Sequence, residues 1–141
     1  MKYKIITHPY AVLISFLFIL ISGEHIGGFY IVYLLLGLAH VAVHSILGIA
    51  GIAMLLFNII LNNSNGFTKP FLNLTGVFLM IASLIIFFNN DSSHYNTATF
   101  YQLVPQLFIA LFIILSIAFI IKNICLLFKT SEKNTGNGFV V

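Results

Sequence analysis

The sequence predicts an all-α integral membrane protein, built as a bundle of four transmembrane helices. The first observation behind this prediction is the near absence of charge along most of the chain. Glu24 is the only charged residue from Ile5 to Leu61, and Asp91 is the only one from Pro70 to Ile121. The second is composition, because 60% of the 141 residues are hydrophobic and 6% are charged, whereas soluble domains carry about 25% charged residues.

Three stretches of the chain come close to the 20 or so residues that a helix needs to cross a hydrocarbon core about 30 Å thick. These predicted spans lie at about residues 5–22, 71–88 and 103–125. With a further span at about 40–61, they form a predicted transmembrane domain of residues 1–129. Residues 130–141 are too polar to fold alone, so we expect a disordered cytoplasmic tail.

The second span needs a separate argument, because Ile26–Leu61 contains 36 residues without a charge or a proline. As one helix it would be about 54 Å long, which exceeds the membrane. Two complete spans would require a hairpin in lipid, and no run of turn-forming residues is present. We therefore predict a span at about 40–61, preceded by an interfacial or re-entrant helical segment at about 29–38. Gly27, Gly28 and Gly37 would supply the bends, and one long tilted helix is the alternative.

The lysines predict the orientation. The chain has six lysines and no arginine, and all lie at the ends of predicted spans: Lys2, Lys4, Lys69, Lys122, Lys129 and Lys133. Because lysine-rich segments stay on the cytoplasmic side, we expect both termini there, in the plasma (inner) membrane. A nucleic-acid partner is not expected, since the lysines form no patch.

Small and polar side chains recur along the spans at steps of three, four and seven residues, which places each set on one helix face. The predicted helix-packing residues are Gly37, Gly48, Gly51, Asn73, Gly76, Ser83, Gln106 and Ser116. Lipid provides no hydrophobic drive for helix association, so close approach at small residues and interhelical hydrogen bonds stabilise such bundles. We interpret these stripes as packing faces; a path for an ion or substrate, as in a small transporter, is the alternative.

A second pattern follows from the predicted topology, which places four of the five histidines at the non-cytoplasmic end. His40 and His44 are four residues apart, the spacing at which two imidazoles on one helix face chelate a metal. The candidate metal ligands are His40, His44, His25, Glu24 and His94. Imidazole with carboxylate suits zinc, copper, iron or nickel, and histidine also binds haem. We favour histidines that only hydrogen-bond within the bundle, without a cofactor; the metal or haem site and a proton-handling site are the alternatives.

No catalytic signature accompanies these residues. The chain contains no P-loop, no Rossmann glycine fingerprint, and no G-x-S-x-G, H-E-x-x-H or C-x-x-C motif. We therefore favour a non-enzymatic accessory, assembly or interaction subunit of a membrane complex. Its expected partners are the lipid bilayer and another membrane protein or further copies of the chain. The alternative function is binding of a transition metal or haem by the outer histidines.

Overall fold

The computed structural model of the chain describes residues 7–22, 27–60, 67–89 and 91–136, without the side chains of residues 91–95 and 132–136. Within these ranges the backbone is mostly helical, as the sequence predicts. The elements are α1 (Pro9–Leu17), β1 (Leu20–Ser22), β2 (Gly27–Phe29), α2 (Tyr30–Ala39), α3 (Val43–Ile60), α4 (Thr68–Asn89), a 3₁₀ helix (Asp91–Phe100) and α5 (Leu103–Gly136).

Among the described residues, three helices are long and apolar enough to cross a membrane: α3, α4 and the Leu103–Ser131 part of α5. The 18 residues of α3 measure about 27 Å, close to the thickness of the hydrocarbon core. In the most apolar 18-residue stretch of α4, 39% is buried by the rest of the chain, against 28% in α3 and 22% in α5. α4 is therefore the central helix. The chain is thus a small polytopic membrane protein with three candidate spans, and the predicted four-span bundle is not confirmed.

The first predicted span, at about 5–22, is helical only in part. The nine residues of α1 are about 14 Å long, and the chain then becomes extended. The segment still runs the length of the bundle. At one end Lys122 Nζ donates to the Thr7 carbonyl at 2.9 Å, and at the other Ser22 N donates to Thr99 Oγ1 at 2.9 Å.

The extended part of this segment is β1, which pairs antiparallel with β2. Isoleucines favour extended backbone, and Ile19 and Ile21 both bury their side chains. The Ile19 carbonyl accepts from Tyr30 N at 2.7 Å. Gly27 and Gly28, expected at a bend, instead form β2. β1 is half-buried to buried, whereas Gly27 and Phe29 at the two ends of β2 are exposed.

The long apolar stretch divides into α2 and α3, close to the division that the sequence predicts. The bend lies beyond Gly37, at His40–Ala42, where Val41 adopts a left-handed φ of 54°. Ala42 N donates to the Gly37 carbonyl at 2.9 Å and Val41 N donates to the Leu38 carbonyl at 3.1 Å. This pattern is a Schellman helix end, in which glycine or asparagine usually takes the left-handed position.

The last helix is longer than the sequence predicts. α5 continues to Gly136, past the expected end of the span near residue 125 and into the part expected to be a disordered tail. Residues 137–141 lie outside the described residues.

The core is aromatic where α1, α2, α4 and α5 meet. The Phe16 ring lies 5.4 Å from that of Tyr30 and 5.2 Å from that of Phe112, between ring centroids. The Tyr30 ring is in turn 5.0 Å from that of Phe87. These contacts hold the half-helical first segment against two of the candidate spans.

Candidate functional site

The structure separates the two histidines that the sequence places on one helix face. His40 is exposed in the bend after α2, whereas His44 is half-buried in the first turn of α3, with its ring centroid 5.2 Å from that of Phe87. The Schellman helix end between them removes the continuous helix that four-residue spacing requires. Glu24 and His25 lie outside the described residues, as does the side chain of His94. Within the described part of the chain, no three histidine, cysteine or acidic side chains group as metal ligands.

The glycines of the predicted packing stripes lie where α3 meets α4. A Cβ atom added to Gly51 would lie 2.7 Å from the Gly76 carbonyl oxygen and 2.7 Å from Met80 Cγ. A Cβ atom added to Gly76 would lie 3.0 Å from Leu55 Cγ. The two helix backbones therefore approach closely at this point because neither glycine carries a side chain.

Ser83 joins three helices toward the C-terminal end of α4. Its Oγ donates to the His44 carbonyl at 2.5 Å. Because a serine hydroxyl has one hydrogen, the 2.8 Å contact with the Tyr30 hydroxyl is one in which Tyr30 donates. Gly48 completes the contact, since an added Cβ would lie 2.7 Å from Ser83 Oγ and from Leu34 Cδ2.

The remaining predicted packing residues have different surroundings. Gly37 is half-buried beside the side chains of His44 and Ser45. Gln106 is exposed, and its Nε2 donates to the Phe100 carbonyl of the 3₁₀ helix. Ser116 is fully buried, and its Oγ has no hydrogen-bond partner in the described part of the chain.

A chain of three asparagines joins the candidate spans at the end where α3 finishes and α4 begins. Asn58 Nδ2 donates to Asn73 Oδ1 at 2.6 Å, and Asn73 Nδ2 donates to Asn123 Oδ1 at 2.8 Å. Asn123 Nδ2 ends the chain at the Phe119 carbonyl, at 2.8 Å. All three side chains are buried, so this amide chain fixes α3, α4 and α5 relative to one another.

A cavity of about 250 Å³ adjoins the amide chain, and we call it the polar cavity. Its polar lining consists of His8, Asn58, Lys69, Asn73, Lys122 and Asn123. Lysine ammonium groups and amides can bind an anion.

A larger cavity, of about 430 Å³, lies between α4, α5 and the 3₁₀ helix. Its walls are almost wholly apolar, with Leu84, Phe88, Phe100 and Phe112 among the lining residues. Ser116 also lines it. Such a cavity suits hydrocarbon, and its described lining residues include no acid–base or nucleophilic pair.

Several residues of the polar cavity were not predicted as site residues. The sequence did carry a signal for Asn58, which follows Gly51 by seven residues and so continues the stripe of α3. The sequence indicates Lys69 and Lys122 only as topology signals, because nothing in the spacing of two lysines 53 positions apart predicts that they line one cavity.

Comparison of the chain with protein-family models, with curated proteins and with solved structures finds no match in any of the three.

Proposed function

We propose that this protein is a non-enzymatic accessory or assembly subunit of a membrane complex, which binds a helix of its partner along the seam between α1 and α5. The observation that carries the proposal is an apolar groove in this seam. Two adjoining hollows, of about 270 Å³ and about 240 Å³, are both lined by Phe108 and Leu111. Together they follow α5, the candidate span that the rest of the chain covers least.

The α1 wall of the groove has the residues that close helix contact in lipid requires. Ala11 and Ser15 line it, and they are four residues apart, so they are neighbours on one helix face. Small residues at this spacing let a second helix approach closely. Phe108, Leu111 and Leu115 form the opposite wall, which offers bulky apolar side chains for an apolar partner helix to pack against.

The buried polar groups support a structural role. The amides of Asn58, Asn73 and Asn123 and the hydroxyls of Tyr30 and Ser83 bond between helices, and in the described part of the chain none of them is paired as nucleophile with base. Their chemistry is that of helix association.

The test compares Ala11→Leu, which fills the groove, with Ala53→Leu, which adds the same atoms to the exposed face of α3. After extraction from native membranes in mild detergent, native mass spectrometry of the unaltered protein should detect a larger complex. We expect Ala11→Leu to lower recovery of the partner about tenfold, the effect of about 1.4 kcal/mol of lost affinity, and Ala53→Leu to leave it unchanged. A photo-reactive residue at Ile14, which lines the groove, should crosslink to the same partner.

The proposal fails if the gently extracted protein is a monomer. It also fails if the two leucine variants recover the partner equally, because the groove would then make no specific contact.

A further inference from the structure

We propose that the polar cavity binds the headgroup of an anionic phospholipid that carries free hydroxyl groups. The phosphate would lie between Lys69 and Lys122, and a headgroup hydroxyl would donate to Asn58 Oδ1. This inference is independent of the proposed partner helix, which would bind elsewhere on the bundle.

Charge is the first argument. Lys69 and Lys122 both line the cavity, and none of its described lining residues is acidic. Lys122 Nζ donates one hydrogen bond, to the Thr7 carbonyl, and an ammonium group has three hydrogens to donate. His8 adds a donor, because its Nδ1 accepts from Tyr10 N at 3.4 Å, so a neutral ring carries its proton on Nε2. The cavity is therefore rich in donors that suit a phosphate.

Asn58 provides the second argument, and it selects among anions. The side chain is 2% exposed, and its Nδ2 donates to Asn73 Oδ1 at 2.6 Å and to the Lys69 carbonyl at 2.9 Å. Both amide hydrogens are thus in use, while Oδ1 is buried and has no partner among the described residues. A buried acceptor without a partner costs about 1–3 kcal/mol, so a ligand that supplies a donor here is favoured.

A phosphodiester alone cannot supply that donor, because its oxygens only accept. A headgroup ammonium could donate, but it would lie beside two lysine ammonium groups and be repelled. A hydroxyl donates without carrying positive charge. The cavity therefore matches a phosphodiester with a polyol headgroup, such as phosphoglycerol.

The position of the cavity in the bundle indicates that the phosphate comes from the membrane. His8 immediately precedes α1, Asn58 is near the end of α3 and Lys69 is near the start of α4, so the cavity lies at one end of the spans. Lipid phosphates lie just outside the hydrocarbon core, which is the depth of a cavity at the end of the spans. Basic pockets between transmembrane helices are a known mode of headgroup binding. The apolar side chains of Phe119 and Leu126 complete the wall on α5, beside which acyl chains would lie.

The test uses delipidated protein and an equimolar mixture of phosphatidylglycerol, phosphatidic acid, phosphatidylethanolamine and phosphatidylcholine, with retained lipids counted by native mass spectrometry. We expect phosphatidylglycerol to be retained above the other three lipids. These include phosphatidic acid, which offers a phosphate without a polyol. Lys69→Gln and Lys122→Gln should each lower retention of phosphatidylglycerol about fivefold, the contribution of one lysine near an anionic lipid. Both variants leave the asparagine chain intact.

The matched control is Lys129→Gln, which removes the same charge from α5 at an exposed position that does not line the cavity. It should retain phosphatidylglycerol as the unaltered protein does. Equal losses in all three glutamine variants would mean non-specific attraction and would overturn the site. Equal retention of phosphatidylglycerol and of phosphatidic acid as its dianion, which has no P–OH donor, would overturn the role of Asn58. Displacement of the lipid by millimolar inorganic phosphate or glycerol phosphate would show a water-soluble ligand and overturn the lipid assignment.

Discussion

The hydroxyl of Thr99 satisfies both backbone polar groups of Ser22, a residue 77 positions earlier in the chain. Ser22 N donates to Thr99 Oγ1 at 2.9 Å, and the same oxygen donates to the Ser22 carbonyl at 3.2 Å. Thr99 is fully buried. This pair joins the end of β1 to the 3₁₀ helix, and it replaces the water that extended backbone would otherwise need.

Replacing Thr99 with valine should therefore destabilise the fold. Valine has nearly the same shape but cannot bond either group of Ser22, so we expect the free energy of unfolding to fall by about 1–3 kcal/mol. Titration with dodecyl sulfate in mixed micelles measures this. Thr99→Ser keeps the hydroxyl and is the control; a valine variant as stable as the serine variant would contradict the prediction.

Asn73 should be the most sensitive member of the asparagine chain, because it both accepts from Asn58 and donates to Asn123. Interhelical hydrogen bonds in membranes contribute about 0.6 kcal/mol each, so Asn73→Leu should lower the free energy of unfolding by about 1 kcal/mol. Asn89→Leu is the control, since Asn89 is exposed and, among the described residues, its Nδ2 donates to the Ile85 carbonyl of its own helix. Equal losses in the two variants would argue against the interhelical chain.

Gly51 should tolerate no side chain. A methyl group would meet the Gly76 carbonyl oxygen at 2.7 Å, and backbone cannot move aside as a flexible side chain can. We expect Gly51→Ala to cost about 1–3 kcal/mol, the usual range for overpacking, in the same unfolding titration. Gly28→Ala is the matched control, because among the described residues its added methyl would meet Tyr33 Cε2 alone, at 4.0 Å.

Replacing Val41 with glycine should increase the stability of the fold. A β-branched residue at a φ of 54° is strained by about 1–3 kcal/mol, and glycine adopts this conformation freely. We expect Val41→Gly to raise the midpoint of thermal unfolding, followed by circular dichroism. Val43→Gly, in the first turn of α3, should lower it. A lower midpoint for Val41→Gly would mean that the bend is not strained.

The orientation can be tested by labelling single cysteines in a Cys125→Ser background. Lys69 and Lys122 line one cavity, so they lie at the same end of the bundle, as the predicted orientation requires. Cysteines at Asn65 and Lys133 should resist membrane-impermeant maleimide in intact cells, whereas one at Ser93 should react. Labelling at Asn65 from outside would reverse the proposed orientation.

Sequence reasoning was strongest for the long apolar helices. The predicted spans at about 40–61 and 71–88 lie close to α3 and α4, because lipid demands length and apolarity and both are visible in the sequence. It was weakest at about 5–22, where composition predicts a span and the chain instead changes from helix to strand after Leu17. A hydropathy pattern cannot distinguish a continuous helix from an extended segment that the bundle covers, since both are apolar.

The sequence by itself determined that this chain belongs in a membrane, that its lysines lie at the ends of its spans, and that small and polar residues share helix faces. The tertiary structure alone decided what those residues meet. It placed His40 in the bend after α2 and His44 in α3, aligned Asn58, Asn73 and Asn123 in one chain, and brought Lys69 and Lys122 to one cavity. The reason is that hydropathy and periodicity act along the chain, whereas hydrogen bonds and cavities form between helices far apart in sequence, where helix register and bends fix their geometry.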